Sequence, residues 1–425
     1  MHYQNPVCRT QDPRCPERSP DLQAMLSFAI LTDINIVQYS GPHAMHPYLK
    51  DRSLLTVGSI PCQTAEDTFK LLGPALGDRL AGISHGEPGY RNMWVVFNAP
   101  HVFEPNPDII ITNKPKPDRD KSVFKEDIPD WLPTNWEEMW QCKVVDGVED
   151  VYFDTLHYAD FAIECYAKFR ALRDQGVIPA GTRYQVNFPF PEDFTRWCTG
   201  NSRDFHIMTK AIVEVLDREV QTLVNAIPHE DLVVQWDVCW EVFACDTADY
   251  MGREPLAWKA EGDPYQRFAA YMARLSPLVP EDIPLGMHLC YGDLEHSHLI
   301  EPRDLEVAVR MANLAVKHAG RRFDYIQMPV PRERSDNDYF APLQGLEIGA
   351  AKLYIGLVHL SDGVEGTLER LATFRRNYSG DYGVATECGW GRRPIDSIEA
   401  LMDLHRQLSD DVFCGGSHAP INGAA

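Results

Sequence analysis

The residues best placed to do chemistry are an imidazole and a thiol two positions apart, in Gly286-Met287-His288-Leu289-Cys290-Tyr291-Gly292-Asp293. An apolar run from Ile283 to Met287 leads into them and a glycine-containing turn follows, so the stretch reads as a buried strand delivering both groups at its C-terminal end. Side chains alternate along a strand, which puts residues i and i+2 on one face, and His288 and Cys290 can therefore share one ion. A further sulfur ends another short apolar run, Val384-Ala385-Thr386-Glu387-Cys388-Gly389-Trp390-Gly391. Neutral imidazole and thiolate favour zinc among the common ions, and three protein ligands with an open position is the pattern of catalytic zinc. His-x-Cys alone also fits an ordinary strand core, so the chemistry depends on whether the fold brings Cys388 to the other two.

Positioning groups so far apart in sequence takes a large core. The chain has 425 residues, 44% of them hydrophobic, which allows one large barrel or two domains. Its 62 acidic and 40 basic residues give a formal charge of −22, which repels nucleic acid and anionic membrane surfaces and favours a small-molecule substrate as partner. No segment approaches the ~20 consecutive apolar residues of a membrane span, and Met1 to Pro20 lacks the apolar centre of a signal peptide. Eleven cysteines without framework spacing suggest free thiols in a reducing compartment, so a cytoplasmic protein is expected. A homodimer is allowed for.

The elements follow in order. Residues 1–50 are Pro-rich with one apolar island and read as an N-terminal extension. Leu54 to Pro61 reads as a strand ending in a Gly-Ser turn, Thr64 opens a helix, and Leu80 to Ser84 forms a second strand ending in His85-Gly86-Glu87. Residues 98–147 lack a clean period and read as an excursion over a pocket. Beyond Asp154, helices and strands alternate, with strands around Arg183 to Phe188, Leu232 to Trp236, Ile283 to Met287, Phe323 to Met328, Leu353 to Val358 and Asp381 to Glu387. Residues 413–425 read as a loose tail. About eight strands separated by helices is the number that closes a (β/α)8 TIM barrel, here spanning 51–412. Ser59, Glu87, Asp237, His288, Cys290, His359 and Cys388 each follow an apolar run, at the barrel face where active sites are built. A doubly wound sheet is the alternative, but no Gly-x-Gly-x-x-Gly turn follows the first strand.

With these residues assembled, the chain resembles the cobalamin-independent methionine synthase family, specifically its C-terminal catalytic barrel, from about Leu54 to Leu408. Val57-Gly58-Ser59-Ile60-Pro61 is similar to the family's Val-Gly-Ser-x-Pro, His85-Gly86-Glu87 to its His-Gly-Glu, and Gln235-Trp236-Asp237 to its Gln-x-Asp. His288-Leu289-Cys290 and Glu387-Cys388-Gly389 resemble its zinc elements. The resemblance implies zinc on His288, Cys290 and Cys388, the substrate amine on Glu87 and Asp237, its carboxylate on Ser59, and a proton donor at His359. It also implies departures. The family's fourth zinc ligand, a glutamate, falls at about Pro329, with Glu333 and Glu387 as the nearby carboxylates, and the N-terminal folate-binding half is absent. Gly86-Glu87-Pro88-Gly89-Tyr90-Arg91 and Pro329 to Arg332 mark a divergent branch.

Two enzymatic readings result. One is zinc-dependent methyl or alkyl transfer involving a small-molecule thiol. The other is acid- or metal-assisted rearrangement or ring opening of an apolar molecule such as an epoxide in specialised metabolism, with His85, Glu87, Asp237 or His359 as general acids. A degenerate barrel that only binds a small molecule is the non-enzymatic alternative. Arg91 and Trp236 join the expected substrate contacts. Arg91, Arg332 and the pair Arg392-Arg393 suit a carboxylate clamp or solvent equally, whereas Glu295-His296-Ser297-His298, past the strand end, reads as a solvated loop.

Overall fold

Among the described residues there are ten strands: β1 (Leu54–Leu55), β2 (Ile83–Ser84), β3 (Ile109–Asn113), β4 (Gln141–Val144), β5 (Tyr184–Pro189), β6 (Leu232–Val238), β7 (Leu285–Leu289), β8 (Tyr325–Pro329), β9 (Lys352–Gly356) and β10 (Tyr382–Ala385); β-branched and aromatic residues are frequent in β3, β5, β6, β8 and β9. The computed structural model describes residues 44–118, 129–246, 258–292 and 298–414. Eight of the strands make one parallel sheet in the order β1-β10-β9-β8-β7-β6-β5-β2. The sheet curls until its ends meet: Leu54 of β1 forms a parallel bridge with Leu80, just ahead of β2, and the Ala81 amide donates to the Leu54 carbonyl at 2.8 Å. The result is an α/β fold with an eight-stranded curled parallel sheet, compatible with the expected TIM-type barrel.

Helices lie between the strands and cover the outer face. Their starts follow from local chemistry. Thr64 caps Ala65–Leu76 by accepting the Asp67 amide, Asn201 caps Ser202–Ala226 through the Asp204 amide, and Asp263 followed by Pro264 opens Pro264–Leu275. No helix among the described residues is long and apolar enough to cross a membrane.

Inside the sheet, large side chains fit against glycines. A Cβ on Gly286 would fall 2.0 Å from the Tyr325 ring, and one on Gly383 would fall 2.4 Å from Tyr354. These rings, with Leu49, Leu55, Val57, Ala81, Val233 and Ala385, form an apolar layer. Leu49 therefore belongs to the main core, although the sequence placed it in the extension; the rest of that extension up to residue 43 lies outside the described residues, as do residues 415–425 of the expected tail.

Two expectations change. The strand expected from Leu54 to Pro61 pairs only at Leu54–Leu55, because the backbone turns at Val57, a β-branched residue at φ 65°. Three side-chain amides hold that strained turn by donating to the Val57 carbonyl: Gln185 Nε2 at 2.6 Å, Asn187 Nδ2 at 3.0 Å and Gln235 Nε2 at 2.9 Å. The segment 98–147, expected to be irregular, contains the antiparallel pair β3-β4. Only Ile109 of β3 is buried, so the local pattern carries little strand signal.

Candidate functional site

In-register partners on parallel strands point the same way, and the pairings Asp237 with His288 and His288 with Gln327 set these three side chains in one row. Cys290 continues the His288 face, and the β10 end brings in Cys388. One ligand atom from each of His288, Cys290 and Cys388 lies within 4.8 Å of the others, and the two sulfurs are 3.8 Å apart. The expected triplet is thus assembled.

Gln327 decides what His288 presents. Its Nε2 donates to the Thr386 carbonyl at 3.0 Å and to the Glu387 carbonyl at 3.1 Å. Its Oε1 must then accept, and it lies 2.5 Å from His288 Nδ1. The proton belongs on Nδ1, which leaves Nε2 as a bare lone pair. Among the described residues that atom is buried without a hydrogen-bond partner, which leaves its lone pair available for a metal. A nitrogen and two sulfurs within this span could hold one metal ion. The Cys290 thiol sits well above its usual range, first because of the adjacent Cys239 thiol and further through burial, partly offset by Cys388. Cys239, in the β6 end loop, was not singled out from the sequence; its backbone amide is held by the Asp193 carboxylate at 3.2 and 3.3 Å.

The Cys388 loop is braced by Ser59. Its carbonyl accepts the Trp390 amide at 2.7 Å and its hydroxyl accepts the Gly391 amide at 3.3 Å. A Cβ on Gly389 would stand 2.3 Å from the Ser59 oxygen, so this close approach requires glycine.

Glu387 lies between two histidines. His298 Nε2 is 3.1 Å from Oε1, and His359 Nδ1 is 3.6 Å from Oε2. Burial alone would depress His298, but the adjacent carboxylate of Glu387, with Glu301, pushes it up to about 9. His298 corrects the sequence reading of Glu295 to His298 as a solvated loop: its side chain is 9% exposed and turned onto Glu387, while residues 295–297 lie outside the described residues. His359 gives Nε2–H to the Val330 carbonyl at 2.9 Å, and burial lowers its pKa.

Glu87 and Asp237 form a second polar group. Burial, then the nearby Asp237, raise Glu87 to about 8 against the pull of Arg91 and Arg392. Burial raises Asp237 to about 7, although Gln235 Nε2 at 2.7 Å and Asn187 Nδ2 at 3.1 Å stabilise its anion. Glu87 itself is at φ 54°, in the left-handed region.

Other expected residues are placed elsewhere. His85 lies against Phe161 with ring centroids 5.1 Å apart, and its Nδ1 is 3.0 Å from the Tyr184 hydroxyl. Burial, then Arg91, hold its pKa near 3, so it is a neutral imidazole. Trp236 alternates with Gln235 and Asp237 and therefore faces away from them, packing on Phe188 and Phe190. Pro329 supplies only its carbonyl, to the Tyr339 hydroxyl at 3.1 Å. Glu333, 76% exposed, is engaged by Arg332 at the surface. A groove of about 690 Å³ lined by Val309, Arg310, Asn313 and Pro342 lies on the helical layer and contains none of these groups.

No protein-family model matches the chain, and no curated protein matches it. The likeness to cobalamin-independent methionine synthases rests on the short motifs and their order.

Proposed function

We propose that the protein is a methionine-synthase-like (β/α)8 barrel enzyme that transfers a methyl or other alkyl group to or from a small-molecule thiol, with zinc on His288, Cys290 and Cys388. The observation that carries this reading is the buried, unpartnered Nε2 of His288, its tautomer set by Gln327, beside two sulfurs. Zinc there would lower the pKa of an incoming thiol and so raise the population of its nucleophilic form. The protein's own groups supply the rest. Gln327 orients the imidazole, Ser59 fixes the Cys388 loop, and Glu387 with His359 Nδ1 offers a place for the proton that the thiol gives up. Metal analysis of the purified protein should return about one zinc per chain, and Cys388→Ser should lower that content. A metal-free preparation that keeps full activity would sink the reading.

Acid-assisted rearrangement is the second reading, supported by the Glu87 and Asp237 pair. With carboxyls held near 8 and 7, at least one keeps a proton at neutral pH and can protonate an epoxide oxygen. Under this reading Asp237→Asn abolishes turnover in metal-free protein that is still folded.

A further inference from the structure

Five arginines among the described residues are almost entirely buried; three are neutralised by carboxylates, and Arg196 donates to the Trp258 carbonyl. Arg267 pairs with Glu192 at 2.7 Å, Arg370 with Asp362 at 2.6 Å and Arg321 with Asp324 at 3.1 Å. Arg91, 4% exposed, has no carboxylate partner among the described residues. Its guanidinium carbon lies 4.5 Å from the Phe97 ring centroid, 5.1 Å from Tyr158 and 4.4 Å from Phe161. Its Nε is buried without a hydrogen bond, and no nitrogen of its guanidinium donates to any described residue. The aromatic faces offset part of the cost of desolvating the cation, but they are not an anion. Glu87, four residues upstream, feels the Arg91 charge without forming an ion pair with it.

The surrounding backbone is arranged at similar cost. Arg91 sits in the 3-10 turn Gly89–Met93 beyond the C-terminal end of β2. Two non-glycine residues near it, Glu87 and Trp94, have φ of 54° and 51°. Asn92 Nδ2 donates to the Gly391 carbonyl at 3.0 Å, tying this turn to the loop that carries Cys388.

We infer that Arg91 and its three-ring cage form a binding site for the carboxylate of a small-molecule ligand, next to Glu87 and the Cys388 loop. A carboxylate matches the planar guanidinium and brings the single negative charge that the cage lacks. A phosphate dianion would add a surplus negative charge beside Glu87. This inference goes beyond the proposed thiol chemistry and does not depend on a metal.

The test uses the full chain, both chelator-treated and zinc-reconstituted, titrated at neutral pH with propionate, its neutral counterpart propionamide, and inorganic phosphate by ligand-observed NMR. Propionate should bind saturably in both preparations and at least tenfold more tightly than propionamide, and phosphate should fail to displace it. Arg91→Gln should abolish the preference for propionate, and Arg91→Lys, which keeps the charge but loses the planar fork, should reduce it. Circular dichroism establishes that each variant is folded; if Arg91→Gln is not, the lysine variant and the ligand pair on the unaltered protein decide. Equal binding of propionate and propionamide, no saturable propionate binding, or an undiminished preference in a folded Arg91 variant overturns the inference. Since the chelator-treated arm has no metal, a failure of the zinc reading leaves this result standing.

Discussion

Replacing Gln327 by methionine should weaken zinc binding although residue 327 itself would touch no metal. Gln327 holds His288 Nδ1 at 2.5 Å and anchors itself on the Thr386 and Glu387 carbonyls at 3.0 and 3.1 Å. Methionine fills similar space but accepts no strong hydrogen bond from Nδ1, so the imidazole loses both its orientation and its preference for the tautomer with a free Nε2. Loss of such an outer partner typically costs about 10–100-fold in metal affinity, or about 1.4–2.8 kcal/mol. The two orphaned carbonyls add a separate stability loss of about 1–3 kcal/mol each where they stay buried. Affinity must therefore be compared at a temperature where both proteins are folded, by competition with a chromophoric zinc chelator at fixed pH. A folded Gln327→Met protein with zinc affinity within about threefold of the unaltered chain would refute the orienting role, since that is well under the ~10-fold minimum expected.

Two further outcomes are expected. Glu87 and Asp237 have ordinary pKa values of 4.5 and 3.8 but sit near 8 and 7 in the fold. As pH rises between those limits the unfolded chain releases these protons and the folded chain keeps them, so their contribution to stability falls through this window. The double variant Glu87→Gln, Asp237→Asn should flatten that decline in urea denaturation measured from about pH 4.5 to 8; an unchanged slope would assign it to other groups. Arg267 neutralises the fully buried Glu192, and Arg267→Met leaves that carboxylate unpaired, a loss of about 3–5 kcal/mol by the same denaturation assay. A loss below about 1 kcal/mol, the range of an exposed pair, would show that water or rearrangement replaces the arginine.

The alternation of strands and helices, the capped starts at Thr64 and Asp263, and the common face of His288 and Cys290 were all set by the sequence, because each depends on neighbours a few residues away. The approach of Cys388 to Cys290 spans 98 residues, and only the curl of the one sheet, in which β9 and β8 stand between β10 and β7, brings it about. Tertiary structure also decided which way each strand faces. The strands are buried on both sides, so their composition does not distinguish the inside from the helical layer. Thus Trp236 and His85, chosen for their chemistry, turn away, while Gln327, an unremarked amide, faces the imidazole it orients. His298 and Arg91 follow the same logic: burial converts a residue in an apparently solvated stretch into a charge that needs a partner, and burial is a property of the folded chain.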